Sequence, residues 1–201
     1  MHVVGKNNEM ITEKFEIPDL ALKLKNGSLA LFPTDTLPAL CSYPEFSRKI
    51  WTIKKRPLQK PLILMGGCLE DLFKFVKPCA IEDGLKMAKN YWPGALTIIL
   101  PTIGNISNYL NSNSNSLGFR VPDLKLARDL LMHTGPLATT SANISGKSPV
   151  RDALEASTQF PEVPILAPVP WPKSSGMAST VIKWNEGAKW TLLRSGSVDF
   201  N

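Results

Sequence analysis

A mixed α/β fold, one twisted sheet flanked by helices, is what this sequence predicts. Three observations lead there. Apolar runs of strand length (28–32, 62–65, 96–100) alternate with amphipathic stretches of helical period. Some neighbouring apolar pieces are joined by too few residues for a helical crossover, so part of the pairing is antiparallel. Polar and cationic residues gather where the apolar runs stop, the edge at which α/β sheets bind ligands.

The elements follow in order. Residues 17–26 read as a short amphipathic helix with Pro18 near its start and Gly27 as its stop. Residues 28–32 (SLALF) are a strand ended by Pro33. Thr34-Asp35-Thr36 then forms a polar insertion before the apolar piece 37–41, either an ordinary Asp turn or a ligand contact. Pro44 opens a helix with Phe46, Ile50, Trp51 and Ile53 on its apolar side. It ends in Lys54-Lys55-Arg56-Pro57, where the proline disfavours helical geometry at Arg56 and turns it away from Lys54. With Lys60, four cations fall in seven residues. Helix-dipole stabilisation explains only part of that cluster.

Residues 62–65 (LILM) are a buried strand, 69–76 and 81–91 helical, and Trp92-Pro93-Gly94 a break before the central strand 96–100. The Asn/Ser-rich stretch 105–115 reads as a loop around a short helical turn. Residues 116–121 form a strand carrying Arg120 between Phe119 and Val121, and 124–133 a helix that His133 helps to cap. The stretch 135–149 starts as a strand and turns polar: Thr139, Thr140, Ser141, Asn143 and Ser145 place five hydrogen-bonding side chains in seven residues. It is either a Ser/Asn turn that satisfies its own backbone or the rim of a site. Residues 141–148 (SANISGKS) approach the phosphate-binding pattern G-x-x-x-x-G-K-[ST], but Ser141 replaces the first glycine, so that loop is rejected. Helix 151–160 precedes a segment, 161–172, with five prolines, read as an extended flap with a possible edge strand at 163–166. Residues 179–184 and 190–193 form a hairpin.

Composition narrows the function classes. The chain of 201 residues is long enough for one domain with a sizeable core, and 43% hydrophobic with 20% charged is ordinary for a globular protein. No apolar run reaches membrane-spanning length. Cys41, Cys68 and Cys79 form no C-x-x-C pair, which favours a reducing compartment and a cytoplasmic location over disulfides or zinc. The net charge of +6 suits an anionic partner, nucleotide or RNA, or simply a solvated surface. No nucleophilic triad, metal cluster or carboxylate pair stands out. The chemistry that fits is anion positioning, as in phosphoryl and nucleotidyl transfer.

Six segments together resemble the YrdC/TsaC family of threonylcarbamoyl-AMP synthases: Pro33-Thr34-Asp35-Thr36, Lys54-Lys55-Arg56-Pro57, Trp92-Pro93-Gly94, Arg120-Val121-Pro122, residues 141–146 (SANISG) and Ser179-Thr180-Val181. Each is weak alone; six in order are specific. The resemblance covers about residues 15–196, a single YrdC-like domain of the short form, after an N-terminal extension over 1–14. It implies a twisted mixed α/β sheet with a large basic concave face. It also implies a nucleotidyltransferase that makes L-threonylcarbamoyl-AMP and pyrophosphate from ATP, L-threonine and bicarbonate, with Mg²⁺ accompanying ATP. The product would serve t⁶A37 modification of tRNA through separate transfer proteins, with any direct tRNA contact weak and electrostatic.

Carried over by position, Lys54, Arg56, Ser141 and Asn143 match the family's catalytic K-x-R/S-x-N tetrad. Arg56, Lys60, Ser116, Ser141 and Arg194 would face ATP, and Thr36, Arg120, Thr139 and Ser179 would hold threonine. An arginine fork suits the amino-acid carboxylate. The chain departs from the family at Met65, where many relatives have His, at Leu37-Pro38-Ala39, and at Arg194-Ser195-Gly196, where R-P-G is usual. Two other readings stand beside the synthase: an RNA-binding protein of the same fold without synthase activity, and a module acting on another carbamoyl adenylate.

Overall fold

The computed structural model describes residues 13–112 and 114–200. In chain order its strands are β1 (Lys14–Phe15), β2 (Ala30–Phe32), β3 (Ala39–Ser42), β4 (Ile63–Met65) and β5 (Leu96–Pro101). Then come β6 (Ser116–Arg120), β7 (Leu137–Ser141), β8 (Ile165–Leu166), β9 (Thr180–Asn185) and β10 (Lys189–Arg194). The helices are α1 (Ile17–Lys25), α2 (Arg48–Lys54), α3 (Leu69–Phe73), α4 (Pro78–Tyr91), α5 (Ile106–Leu110), α6 (Lys125–Thr134) and α7 (Ala153–Gln159).

The strands form one mixed sheet in the order β1-β8-β2-β3-β7-β4-β6-β5-β9-β10. Pairs β1–β8, β2–β8, β4–β6 and β5–β9 are parallel and the remainder antiparallel. The register sorts side chains between two faces. Leu40, Ala138, Leu64, Phe119, Ile98 and Ile182 lie on one, packed with Ile50, Trp51, Ala80, Ala88, Leu110 and Ala156 of the helices. The other face carries Ala39, Cys41, Thr139, Ser141, Ile63, Met65, Gly118, Arg120, Ile99, Thr97 and Val181. Helices α1 and α6 cover only one end of it, through Leu20, Leu24, Ala127, Leu130 and Leu131 on Ala30, Phe32, Cys41, Met65 and Leu137. The remainder is left to the site.

Local chemistry explains the helix ends. Helix α1 closes where Gly27 takes φ +84° and Ser28 N–H reaches the Lys23 carbonyl at 3.0 Å. Helix α2 closes on Lys55, held left-handed at φ 51°, so Arg56 leaves in a new direction as the sequence predicts. Helix α7 starts with a reciprocal cap. Asp152 accepts from Glu155 N–H at 2.8 Å and Glu155 accepts from Arg151 N–H at 2.8 Å.

Three expectations change. The helix expected from Pro44 onward is divided into a 3-10 turn, Pro44–Phe46, and α2. Gly135 at φ +78° and the Thr134 hydroxyl, bonded to the Leu130 carbonyl at 3.1 Å, close α6 in place of His133. Strand β8 is not at the edge: Ile165 N–H bonds to the Glu13 carbonyl at 3.0 Å and Ala167 N–H to Phe15 at 2.8 Å, so β1 lies outside it. Two residues of strand beside a predicted N-terminal extension carry too little pattern for sequence to reveal.

Candidate active site

A cavity of about 400 Å³ opens on the uncovered part of the second face. Thr36, Arg56, Lys60, Ser116, Arg120, Thr139, Ser141, Ser179 and Arg194 all line it. They come from segments spread from residue 36 to residue 194, gathered by the strand order. Among the described residues, no Asp or Glu lines it. The floor holds Ile63, Gly118 and Ile99 of three adjacent strands. A Cβ on Gly118 would lie 2.9 Å from Ile63 Cγ2 and 3.1 Å from Thr97 Cγ2, so the bare backbone keeps the floor open.

Arg120 is buried, and a buried guanidinium without partners would be costly. Its Nη2 donates to Asp35 Oδ1 at 2.7 Å, Nη1 to Thr36 Oγ1 at 2.7 Å, and Nε to the Gly94 carbonyl at 2.9 Å. Burial pulls its pKa down, and the Asp35 carboxylate works against that shift. This explains two sequence motifs physically. The Asp35 of the P-T-D-T segment is the counterion, and the W-P-G turn offers the Gly94 carbonyl. Gly94 N–H bonds to the Val121 carbonyl at 2.9 Å, and a Cβ there would strike the Tyr91 carbonyl. Sequence reading left the Asp35 segment open between an Asp turn and a ligand contact and did not pair it with Arg120, because nothing local links positions 85 residues apart.

The other cations are anchored by backbone carbonyls. Arg56 donates from Nη2 to Pro61 O at 2.8 Å and from Nε to Lys60 O at 3.2 Å. Arg194 donates from Nη2 to Ser179 O at 2.8 Å and to Ser179 Oγ at 3.2 Å. Burial lowers the pKa of each, yet carbonyl partners leave their positive charge uncancelled toward the cavity. Both guanidiniums are therefore held in place without losing their attraction for an anion.

The tetrad assembles, but two of its members do not line the cavity. Lys54 is 1% exposed and donates from Nζ to the Ser141 carbonyl, while its own carbonyl accepts from Ser145 N–H at 3.0 Å. Burial, then the nearby Arg56 charge, lower its pKa to about 7. Asn143 Oδ1 accepts from Ser141 Oγ at 2.6 Å, and Nδ2 donates to Lys147 O at 2.9 Å. Lys54 and Asn143 thus hold the 141–147 loop, whereas Arg56 and Ser141 meet the cavity. Of the two cations at residues 54 and 56, Arg56 alone lines the cavity.

Around these residues, Thr139 Oγ1 is buried and has no hydrogen-bond partner among the described residues. Thr97 Oγ1 lies 2.8 Å from Ser179 Oγ, and Asn111 donates to the Ser116 carbonyl at 2.9 Å. Thr97 and Asn111 also line the cavity and were not singled out from sequence. Met65 lines it too, paired in register with Arg120. Beyond the proline-rich segment, Ser175 N–H bonds to Asp35 O at 2.9 Å and Gly176 N–H to Thr36 O at 3.1 Å. Gly196, retained where the family pattern ends, has no room for a Cβ against Ala178 and Ser179.

The Sua5/YciO/YrdC family model, described as telomere recombination, matches residues 23–196. The chain belongs to this family. Among Sua5/YciO/YrdC relatives, the threonylcarbamoyl-AMP synthase of Yersinia enterocolitica is 32% identical over 157 residues, 75% of this chain and 83% of the relative. The threonylcarbamoyl-AMP synthase of Bacillus subtilis is 34% identical over 149 residues, 72% of this chain but 43% of the longer relative. The crystal structure of P. abyssi Sua5 complexed with L-threonine superposes with a TM-score of 0.81 at 28% identity, covering 92% of this chain and 57% of that one. The matched span of the Sua5/YciO/YrdC model contains every residue of the cavity named above.

Proposed function

We propose that this protein is a threonylcarbamoyl-AMP synthase, a nucleotidyltransferase that joins L-threonine, bicarbonate and ATP and releases pyrophosphate. The observation that carries the reading is one cavity lined together by all the residues expected to face ATP and threonine. Arg56, Lys60 and Arg194 supply the positive charge for a triphosphate, and Arg120 with Thr36 and Thr139 supplies a polar corner for an amino acid. Similarity to synthases at 32–34% identity over most of the chain supports the same reading.

The chemistry asks little covalent work of the protein. The threonine amine forms a C–N bond to the bicarbonate carbon, one C–O bond breaks, and water leaves, giving a carbamate. One carbamate oxygen attacks the α-phosphorus of ATP, and the bond from that phosphorus to the bridging oxygen breaks, releasing pyrophosphate. The residues position two anions that repel each other and offset the charge that builds on the leaving group. Mg²⁺ enters as the ATP complex: no carboxylate among the described residues lines the cavity, so the phosphates would be its ligands. The product would pass to separate proteins that transfer threonylcarbamoyl to position 37 of tRNA, in the cytoplasm. No helix among the described residues is long and apolar enough to cross a membrane.

Mass spectrometry of products after incubation with Mg·ATP, bicarbonate and threonine tests the reading. Threonylcarbamoyl-AMP and pyrophosphate should appear only when all are present. ATP turnover indifferent to threonine would overturn the proposal and favour a different carbamoyl acceptor.

A further inference from the structure

The loop over 141–147, which brings Ser141 to the cavity, has an acceptor for every backbone N–H from Ala142 to Ser145. Ala142 N–H bonds to the Pro38 carbonyl at 2.8 Å, Asn143 N–H to the Ser141 carbonyl at 2.9 Å and Ser145 N–H to the Lys54 carbonyl at 3.0 Å. Ile144 N–H differs, because its acceptor is a side chain, Gln159 Oε1 at 2.9 Å. Gln159 is the last residue of α7 and does not line the cavity. Its neighbour Phe160 is fully buried in the core, which fixes the end of α7 where the glutamine amide reaches the loop. Nothing in the sequence marks Gln159, since a polar residue at the end of a helix is ordinary.

We infer that Gln159 is a positioning residue for Ser141, an inference that rests on the synthase reading. The Ile144 N–H belongs to the planar peptide that joins Asn143 to Ile144. Holding that N–H sets the orientation of the plane and limits rotation about the Asn143 backbone, from which the Asn143 side chain projects. Asn143 Oδ1 takes the Ser141 hydroxyl proton at 2.6 Å, and Nδ2 donates to the Lys147 carbonyl at 2.9 Å. The line of contact runs from α7 through one peptide and one amide side chain to a hydroxyl in the cavity wall. Ile144 is half-buried, so water can take its N–H when the glutamine acceptor is removed. The fold then survives while the Ser141 hydroxyl loses its fixed direction. Turnover by positioned groups is sensitive to such displacements even when they begin away from the reacting atoms.

Gln159→Leu removes the acceptor and Gln159→Glu keeps it. A carboxylate in the last turn of a helix opposes the helix dipole, so rescue by Glu comes from the acceptor and not from a firmer helix. Steady-state kinetics of threonylcarbamoyl-AMP formation and NMR exchange rates of backbone amides are measured on wild type and both variants. Gln159→Leu should lower kcat about tenfold, the upper scale of one neutral hydrogen bond, with KM for ATP and threonine nearly unchanged. The Ile144 amide should exchange faster in that variant, and the amides of β3 and β7 should not. Gln159→Glu should restore both kcat and protection. Unchanged kcat in Gln159→Leu overturns the assignment, as does equal impairment in the two variants. Loss of protection across β3 and β7 makes Gln159 a general support of the sheet and overturns it too. Each of these leaves the synthase reading standing, whereas wild type that forms no product overturns that reading and this inference with it.

Discussion

The Arg120 guanidinium and the Asp35 carboxylate, 85 residues apart in sequence, meet at 2.7 Å beneath the cavity, with the arginine side chain 4% exposed and the aspartate 16%. This pair makes a buried cation tolerable in the wall of the cavity. Removing one partner of such a pair leaves an uncompensated charge and typically costs about 3–5 kcal/mol. Asp35→Ala should therefore lower the unfolding free energy by about that amount, read by urea denaturation. A loss of less than about 1 kcal/mol, the scale of an exposed ion pair, would mean that the pair is not important to the fold.

Arg120→Ala is expected to weaken threonine far more than ATP. On the proposed reading Arg120 serves the amino acid, while Arg56, Lys60 and Arg194, which line the same cavity, remain for the phosphates. Calorimetric titration of both ligands on a folded variant decides. Equal losses for the two would remove Arg120 from the carboxylate role.

Lys54 makes stability depend on pH. Its pKa is about 7 in the fold against 10.5 for a free side chain, so between those values the unfolded chain binds the extra proton. Stability then rises with pH, by at most roughly 1.4 kcal/mol per pH unit. Compared with Lys54→Met, wild type should gain stability steadily from about pH 7.5 to 9.5 and show no relative change below about pH 6. Denaturation series on both proteins measure it. A constant difference across the range would mean that Lys54 keeps its proton in the fold.

Arg56→Ala and Ser141→Ala should each reduce turnover by ~10²–10³-fold, the usual loss of one preorganised stabiliser. The double variant should be little worse than the poorer single one, because both act on one transition state. Asn143→Ala should resemble Ser141→Ala, since its carbonyl takes the Ser141 proton at 2.6 Å. Steady-state kinetics on monodisperse variants provide the check. Near-wild-type turnover in either single variant excludes that residue from the reacting group.

Contact with tRNA, if made through the cations at the cavity mouth, involves the phosphate backbone. Affinity should fall steeply with salt, because each phosphate neutralised by a cation releases a counterion. The slope should be shallower by about 1 in Lys60→Ala, whose missing ammonium no longer neutralises a phosphate. Filter binding across a salt series measures both slopes. Tight binding insensitive to salt would favour the RNA-binding reading instead.

Much of the site was legible because its chemistry is concentrated in short segments. A cationic helix end broken by Pro57, a strand that turns to hydroxyls at Thr139, and an arginine between Phe119 and Val121 are each local anomalies against an apolar background. The cavity gathers Thr36, Arg56, Lys60, Ser116, Arg120, Thr139, Ser141, Ser179 and Arg194. Thr97 and Asn111 escaped notice because a threonine in a strand and an asparagine in a polar loop are ordinary there.

What sequence by itself determined was the alternation of strands and helices, the stops at Gly27 and Pro57, and the residue types offered at each strand end. Those follow from side-chain period and backbone freedom, which act over a few residues. Strand order was decided only in three dimensions, because pairing β7 between β3 and β4 depends on which hydrophobic faces pack together. The same packing turned Lys54 inward to the Ser141 carbonyl while Arg56, two residues on, reached the cavity. A left-handed Lys55 redirected the chain between them, and only the surrounding sheet determines where each charge comes to rest.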